Sequence, residues 1–157
     1  RIRVCGVRGH PRPATYKATL CYEGGWLAEG EISYAGPNAA ARARLAAEIV
    51  RDRLRQLGLG GLPLRADLIG VASVLADDAG EWWQHRQLPQ REDVRLRIAA
   101  ASSARDEAEA VTREVLALYT CGPAGGGGVR TAVTPRLASD SCYVPREWLQ
   151  PAWSFAQ

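Results

Sequence analysis

Directly after an amphipathic helical pattern the chain places Gly122-Pro123-Ala124-Gly125-Gly126-Gly127-Gly128, five glycines in seven residues. A helix or strand interior does not carry that density of glycine, because each one adds chain entropy that folding must remove. The run therefore fixes a boundary between two elements. It also admits positive-φ backbone and close approach, so another group is expected to sit against it.

Around that boundary the hydrophobic pattern alternates between two periods. Residues 15 to 23 and 26 to 34 flank Gly24-Gly25, which predicts a hairpin with a primed turn. Alternation puts Tyr16, Ala18, Leu20 and Tyr22 on the expected core face and Lys17, Thr19 and Cys21 on the other. Ala35-Gly36-Pro37-Asn38 then leads into an alanine-rich helix ending near Leu57-Gly58, with Pro37 expected at its first position. Ala39, Ala43, Ala46, Val50, Leu54 and Leu57 recur on one face, opposite Arg44, Glu48, Arg51 and Arg55.

Ala66 to Leu75 is an apolar run of the length of a buried central strand. Ala76 to Asp93 has no periodicity and reads as a long exposed loop of the kind that is usually functional. Val94 to Ala101 alternates as a strand, and Ser103-Ala104-Arg105-Asp106 resembles a capping box. The helix it opens carries Ala108, Val111, Val115 and Leu118 on one face and stops at Gly122-Pro123. Val129 to Thr134 and Ser141 to Val144 are expected as two more strands, and Arg1 to Val7 is also strand-like. The order β-β-β-α-β-β-α-β predicts an α/β (α+β) fold: a two-layer sandwich of a mixed or mainly antiparallel sheet with two helices on one face.

The 157 residues suffice for one α/β domain, 1–157, with a core that needs neither disulfide nor metal. The chain contains no methionine and is expected to be a fragment of a longer polypeptide. Lys17 is the only lysine among 20 basic residues, a bias typical of a GC-rich bacterial genome. The arginines are interleaved with carboxylates and the net charge is +3, which gives no basic stripe and argues against a nucleic-acid partner. No stretch approaches the roughly 20 apolar residues of a membrane span and no leader is evident, so a cytoplasmic protein without a membrane partner is expected. Cys5, Cys21, Cys121 and Cys142 lack any C-x-x-C spacing, and His10 and His85 stand apart in loops. Free thiols and no metal site are expected.

Two loops are candidates for chemistry. The turn through Gly36, Pro37 and Asn38 opens a helix whose N-terminal amides suit an anion, with Arg42 or Arg44 near; the same residues also serve as a plain cap. The glycine run follows a helix and lacks a Gly-Lys-Ser/Thr ending, so it is neither a Walker loop nor a Rossmann fingerprint. Its consecutive amides are readable either as an anion-binding nest or oxyanion site, or as a flexible linker. Lys17 is the candidate catalytic group, since a desolvated amine acts as a base or forms a Schiff base; the alternative is a solvent-facing side chain. Asp77, Asp78 and Glu81 read as solvated acids. Trp82, Trp83, Trp148 and Trp153 are expected to be covered by another domain or subunit.

Several blocks together resemble a known family. Gly6-Val7-Arg8-Gly9, Pro13 and Tyr16-Lys17 are followed by Ser33-Tyr34-Ala35-Gly36-Pro37-Asn38-Ala39 and Arg42-Ala43-Arg44. Asp67-Leu68-Ile69-Gly70-Val71, Val94-Arg95-Leu96-Arg97-Ile98-Ala99, the glycine run and Val144-Pro145-Arg146-Glu147 then come in order. The chain is in this respect similar to the C-terminal part of the acyclic terpene utilisation (AtuA-type) family. The resemblance implies a bacterial cytoplasmic protein encoded with acyl-CoA catabolic enzymes for branched or terpenoid acids, and a larger N-terminal region as partner. The leading expectation is a site at Gly36, Asn38, Gly125, Gly126, Gly127 and Gly128 for a carboxylate, thioester carbonyl or phosphate, with Arg12, Lys17 and Arg146 neutralising it. A branched acid or acyl-CoA is the expected ligand, the CoA thioester entering as substrate rather than cofactor. The rival expectation is a non-catalytic assembly domain of a homo-oligomer or multi-domain enzyme.

Overall fold

The computed structural model describes residues 2–74 and 93–155. Its elements run β1 (Thr15–Ala35), α1 (Ala39–Gln56), β2 (Leu64–Ile69), β3 (Asp93–Ser102), α2 (Arg105–Cys121) and β4 (Gly127–Pro145), closed by a 3-10 turn at Arg146–Trp148. The sheet order is β2-β3-β1-β4. β1 pairs antiparallel with β3 from Trp26 opposite Ser102 to Ala35 opposite Asp93, and β2 pairs antiparallel with β3 from Leu64 opposite Ala100 to Ile69 opposite Arg95. This is the split β-α-β, ferredoxin-like arrangement, in which each half contributes a strand, a helix and a strand.

The core follows from the two periods. Even-numbered Ala28, Ile32 and Tyr34 of β1, Val94, Leu96, Ile98 and Ala100 of β3, and Ala66 and Leu68 of β2 are buried on one face of the sheet. Ala39, Ala43, Ala46, Val50 and Leu54 of α1, with Ala108, Val111, Val115 and Leu118 of α2, complete the same cluster. Small side chains let the layers approach closely: a Cβ at Gly30 would stand 2.7 Å from the Val115 side chain. The two-layer sandwich expected from the sequence is the one observed.

Four local expectations are corrected. Gly24-Gly25 is not a hairpin turn, because β1 runs unbroken through it. Gly25 is instead a point of close approach: its φ is +83°, and a Cβ there would collide with the Ser102 carbonyl oxygen where β1 first meets the end of β3. The face of Tyr16, Ala18, Leu20 and Tyr22 is accordingly not a core face, and none of these four residues is buried. Among the described residues β2 is an edge strand rather than a central one, with β3 as its neighbour, and it ends at Ile69 because Val71 and Ala72 turn back to donate to the Leu68 carbonyl. The two expected last strands are one, and Pro135 is tolerated inside it because β4 stands at the edge of the sheet formed by the described residues. Residues 2–13 form no strand.

The helix ends shift by a residue or two. Pro37 precedes the N-cap, which is Asn38 in the left-handed region at φ +57°. At α2 the Ser102 hydroxyl, not Ser103, accepts from the Ala104 amide at 3.0 Å and donates to Glu107, so the expected box at Ser103 and Asp106 sits one residue further out on each side.

The chain divides into two compact units, one of residues Glu23–Leu137 and one of Arg1–Tyr22 with Ala138–Gln157. No helix among the described residues is long and apolar enough to cross a membrane. The expected loop with Trp82, Trp83 and His85, together with Asp77, Asp78 and Glu81, lies outside the described residues.

Candidate functional site

In the larger unit the sheet brings the two candidate loops together. β1 ends in the tight turn of Gly36, at φ +82°, and Asn38, the only non-glycine at positive φ among the described residues. The turn carbonyls of Gly36 and Asn38 accept from the amides of Ala39 at 3.3 Å and Arg42 at 2.9 Å. No side chain caps α1 and its first turn holds no acid, so the positive end of its dipole is not compensated locally.

The glycine run reaches this turn from the other side. α2 stops at Gly122, whose backbone turns extended just before Pro123, and Ala124 is buried. Gly126 lies against the sheet, where a Cβ would stand 2.9 Å from Ile32 Cδ1 and 3.0 Å from Tyr34 Cε1. Gly125 and Gly128 carry positive φ, +61° and +64°, as the chain turns into β4. Gly127 has neither reason: its φ is ordinary and a Cβ would meet nothing within 4 Å.

Arg42 joins the two loops. Its guanidinium donates to the Ala35 carbonyl before the turn and to the Ala124 carbonyl inside the run at 3.3 Å, and stands 5.9 Å from the Tyr34 ring centroid. Its Nε is buried without a partner, and no carboxylate pairs with it among the described residues. Burial pushes the Tyr34 hydroxyl up to about 12, against the opposing pull of the Arg42 charge, so the phenol stays neutral at physiological pH. Arg44, the other cation near the turn, is paired instead with Glu48 at 3.6 Å.

The open face of the sheet holds a second feature, which the sequence reading missed. Arg95 donates to Glu31 at 2.6 Å and Ser33 at 2.8 Å, and Arg97 joins Glu29 to Asp67. Arg65 donates to the other oxygen of Asp67 at 2.9 Å and to the Ser73 carbonyl. The bond to Glu29 raises Arg97 further, with burial opposing and Asp67 adding to it. Three cations and three carboxylates thus neutralise one another, and Asp67 is only 5% exposed. The lattice braces the strands rather than offering a charge to a ligand. Arg95 also reaches the Gly128 carbonyl at 3.5 Å, so the run is held by an arginine from each face of the sheet. The signal was present as period-2 alternation, Glu29 and Glu31 in one strand and Arg95 and Arg97 in its neighbour.

The remaining candidates fall in the smaller unit. Lys17 is exposed on β1, and Arg12 is exposed in an irregular stretch. Arg146 donates from Nε to the Pro13 carbonyl at 2.5 Å and from its backbone to Ala14 at 3.0 Å, with its guanidinium 3.8 Å over the Tyr16 ring. These contacts give Arg146 a clamping role. All four cysteines are free and exposed, and no group of three metal-binding side chains occurs among the described residues. Shallow recesses of the larger unit include one of about 250 Å³ lined by Leu27, Leu64, Arg65, Ala99 and Arg136, one of about 310 Å³ beside Leu62, Ser102 and Glu107, and one of about 170 Å³ beside Glu29, Glu31 and Arg130. At the loop junction Gly127 borders open space.

The family model described as acyclic terpene utilisation family protein AtuA matches residues 1–155. No curated protein and no solved structure matches the chain. The chain belongs to the acyclic terpene utilisation family.

Proposed function

We propose that this member of the acyclic terpene utilisation family binds the polar head of a branched or terpenoid acid, or of its CoA thioester, where the Gly36 to Asn38 turn meets the Gly125 to Gly128 run. As the C-terminal domain of a longer catabolic protein it contributes this surface to binding or conversion, and the N-terminal region supplies the rest. The observation that carries the reading is Arg42, a cation without a carboxylate, anchored to both loops at the uncapped start of α1. A carboxylate, thioester carbonyl or phosphate placed there gains the helix dipole and the arginine charge together. Gly127 faces open space and lets such a group approach the backbone. Arg12, Lys17 and Arg146 are not required in this geometry.

Calorimetry with CoA, a branched acyl-CoA and the free acid tests it. Gly126→Val is a poor probe, because Ile32 and Tyr34 occupy the space it needs. Gly127→Val keeps the fold and obstructs only the outer surface; it is expected to weaken binding by about tenfold or more. Unchanged affinity in a folded Gly127→Val variant would overturn the reading.

A second reading rests on a different observation. Trp148, Trp153 and Phe155 of the smaller unit are 73%, 83% and 85% exposed, more apolar surface than a short segment leaves in water without a partner. Assembly through that unit is compatible with ligand binding in the other.

A further inference from the structure

Among the described residues β1 carries an open edge along its N-terminal stretch. β3 covers one edge of β1 only from Trp26 onward, and β4 is the only other neighbour of β1 in the sheet. Along Thr15 to Gly25 that edge has no strand partner among the described residues. Among the described residues, the buried cluster lies between Ala28 and Ala124, outside the smaller unit. Leu20 is 59% and Tyr22 45% exposed. A two-stranded ribbon without a core is marginal in water, and an unblocked edge is a template for another strand.

The two edges of the ribbon are not equivalent. On the outer edge, β4 from Ala138 to Pro145 carries one charge, Asp140, and it accepts from the Tyr22 hydroxyl at 3.0 Å within the ribbon. The open stretch of β1 holds only two charges, Lys17 and Glu23, and neither is ion-paired among the described residues. Their spacing is self-complementary. Antiparallel pairing about a two-fold axis through Leu20 sets Lys17 opposite Glu23 of the other copy, Leu20 opposite Leu20, and Ala18 opposite Tyr22. Like the charges, the apolar residues then share one face, because alternate residues of a strand point the same way.

We propose that a second copy of this chain docks along Thr15 to Gly25, edge to edge, joining two ribbons into a four-stranded antiparallel sheet. The only lysine of the chain is thereby an interface residue, not a catalytic one. The proposal does not depend on the ligand reading, which concerns the loops at Gly36 to Asn38 and Gly125 to Gly128.

Sedimentation velocity on the chain, with Lys17→Glu, Glu23→Lys and the double variant, tests the register. The wild type is expected to be a dimer. Each single variant should dissociate about tenfold more readily, because two symmetry-related cross-strand pairs become repulsive, and the double variant should recover wild-type affinity. In a background with the four cysteines changed to serine, Leu20→Cys should cross-link to a dimer under mild oxidation, since directly opposed Cβ atoms lie within disulfide reach. A wild-type monomer, a double variant no tighter than the single ones, or a dimer that Leu20→Cys does not cross-link would each overturn the proposal.

Discussion

The two compact units use the same strands in different ways. In Glu23–Leu137, β1 lies between β3 and β4, and its even-numbered side chains are sealed by two helices. In the smaller unit the same strand keeps its alternation, with Tyr16, Ala18, Leu20 and Tyr22 in phase with Ala28, Ile32 and Tyr34, yet none of the first four is buried. Alternation alone therefore does not make a core. What differs among the described residues is a covering layer, and burial contributes only where apolar area actually leaves water.

Substitutions of similar kind should have unequal effects in the two units. Gly30→Val forces a branched side chain into space occupied by Val115 and should destabilise the larger unit by about 3 kcal/mol, measured by urea unfolding. A loss under 1 kcal/mol would mean that α2 packs less tightly on β1 than described.

Tyr34 gives an intermediate effect. Its hydroxyl ionises near 12 in the fold and near 10 when unfolded, so between those values the unfolded chain binds fewer protons and stability falls as pH rises. The expected loss is on the order of 1–2 kcal/mol across that window. Absorbance of the phenolate should show a late-titrating step, and Tyr34→Phe should remove it.

The smallest effect belongs to the other unit. Tyr143 is 73% exposed, and Tyr143→Ala should change unfolding by no more than about 0.5 kcal/mol. A loss comparable to that of Gly30→Val would show that the smaller unit holds a core of its own.

How much of this was legible depended on whether the signal was local. The helical repeat of Ala39 to Leu54 and the alternation of Val94 to Ala100 specify their elements, because one buried face sets the period. Gly24-Gly25 misled, since a glycine pair serves a reversal and a close approach equally well. The unbroken even-residue phase across it was the evidence against a hairpin, because a two-residue turn would have shifted the parity. The meeting of Gly36 to Asn38 with the glycine run was anticipated; the tie through Arg42 required the fold, since Arg42 and Ala124 are far apart in sequence. The buried Asp67 was hidden inside an apolar run, because its partners Arg65 and Arg97 are fixed only by strand pairing.

The most direct test of the account is amide hydrogen exchange across the whole chain, with and without a branched acyl-CoA. Slower exchange confined to residues 36–42 and 122–128, with 15–22 unchanged, is the predicted result. Slowing at Arg12, Lys17 and Arg146 instead, or at no segment of the larger unit, would contradict it.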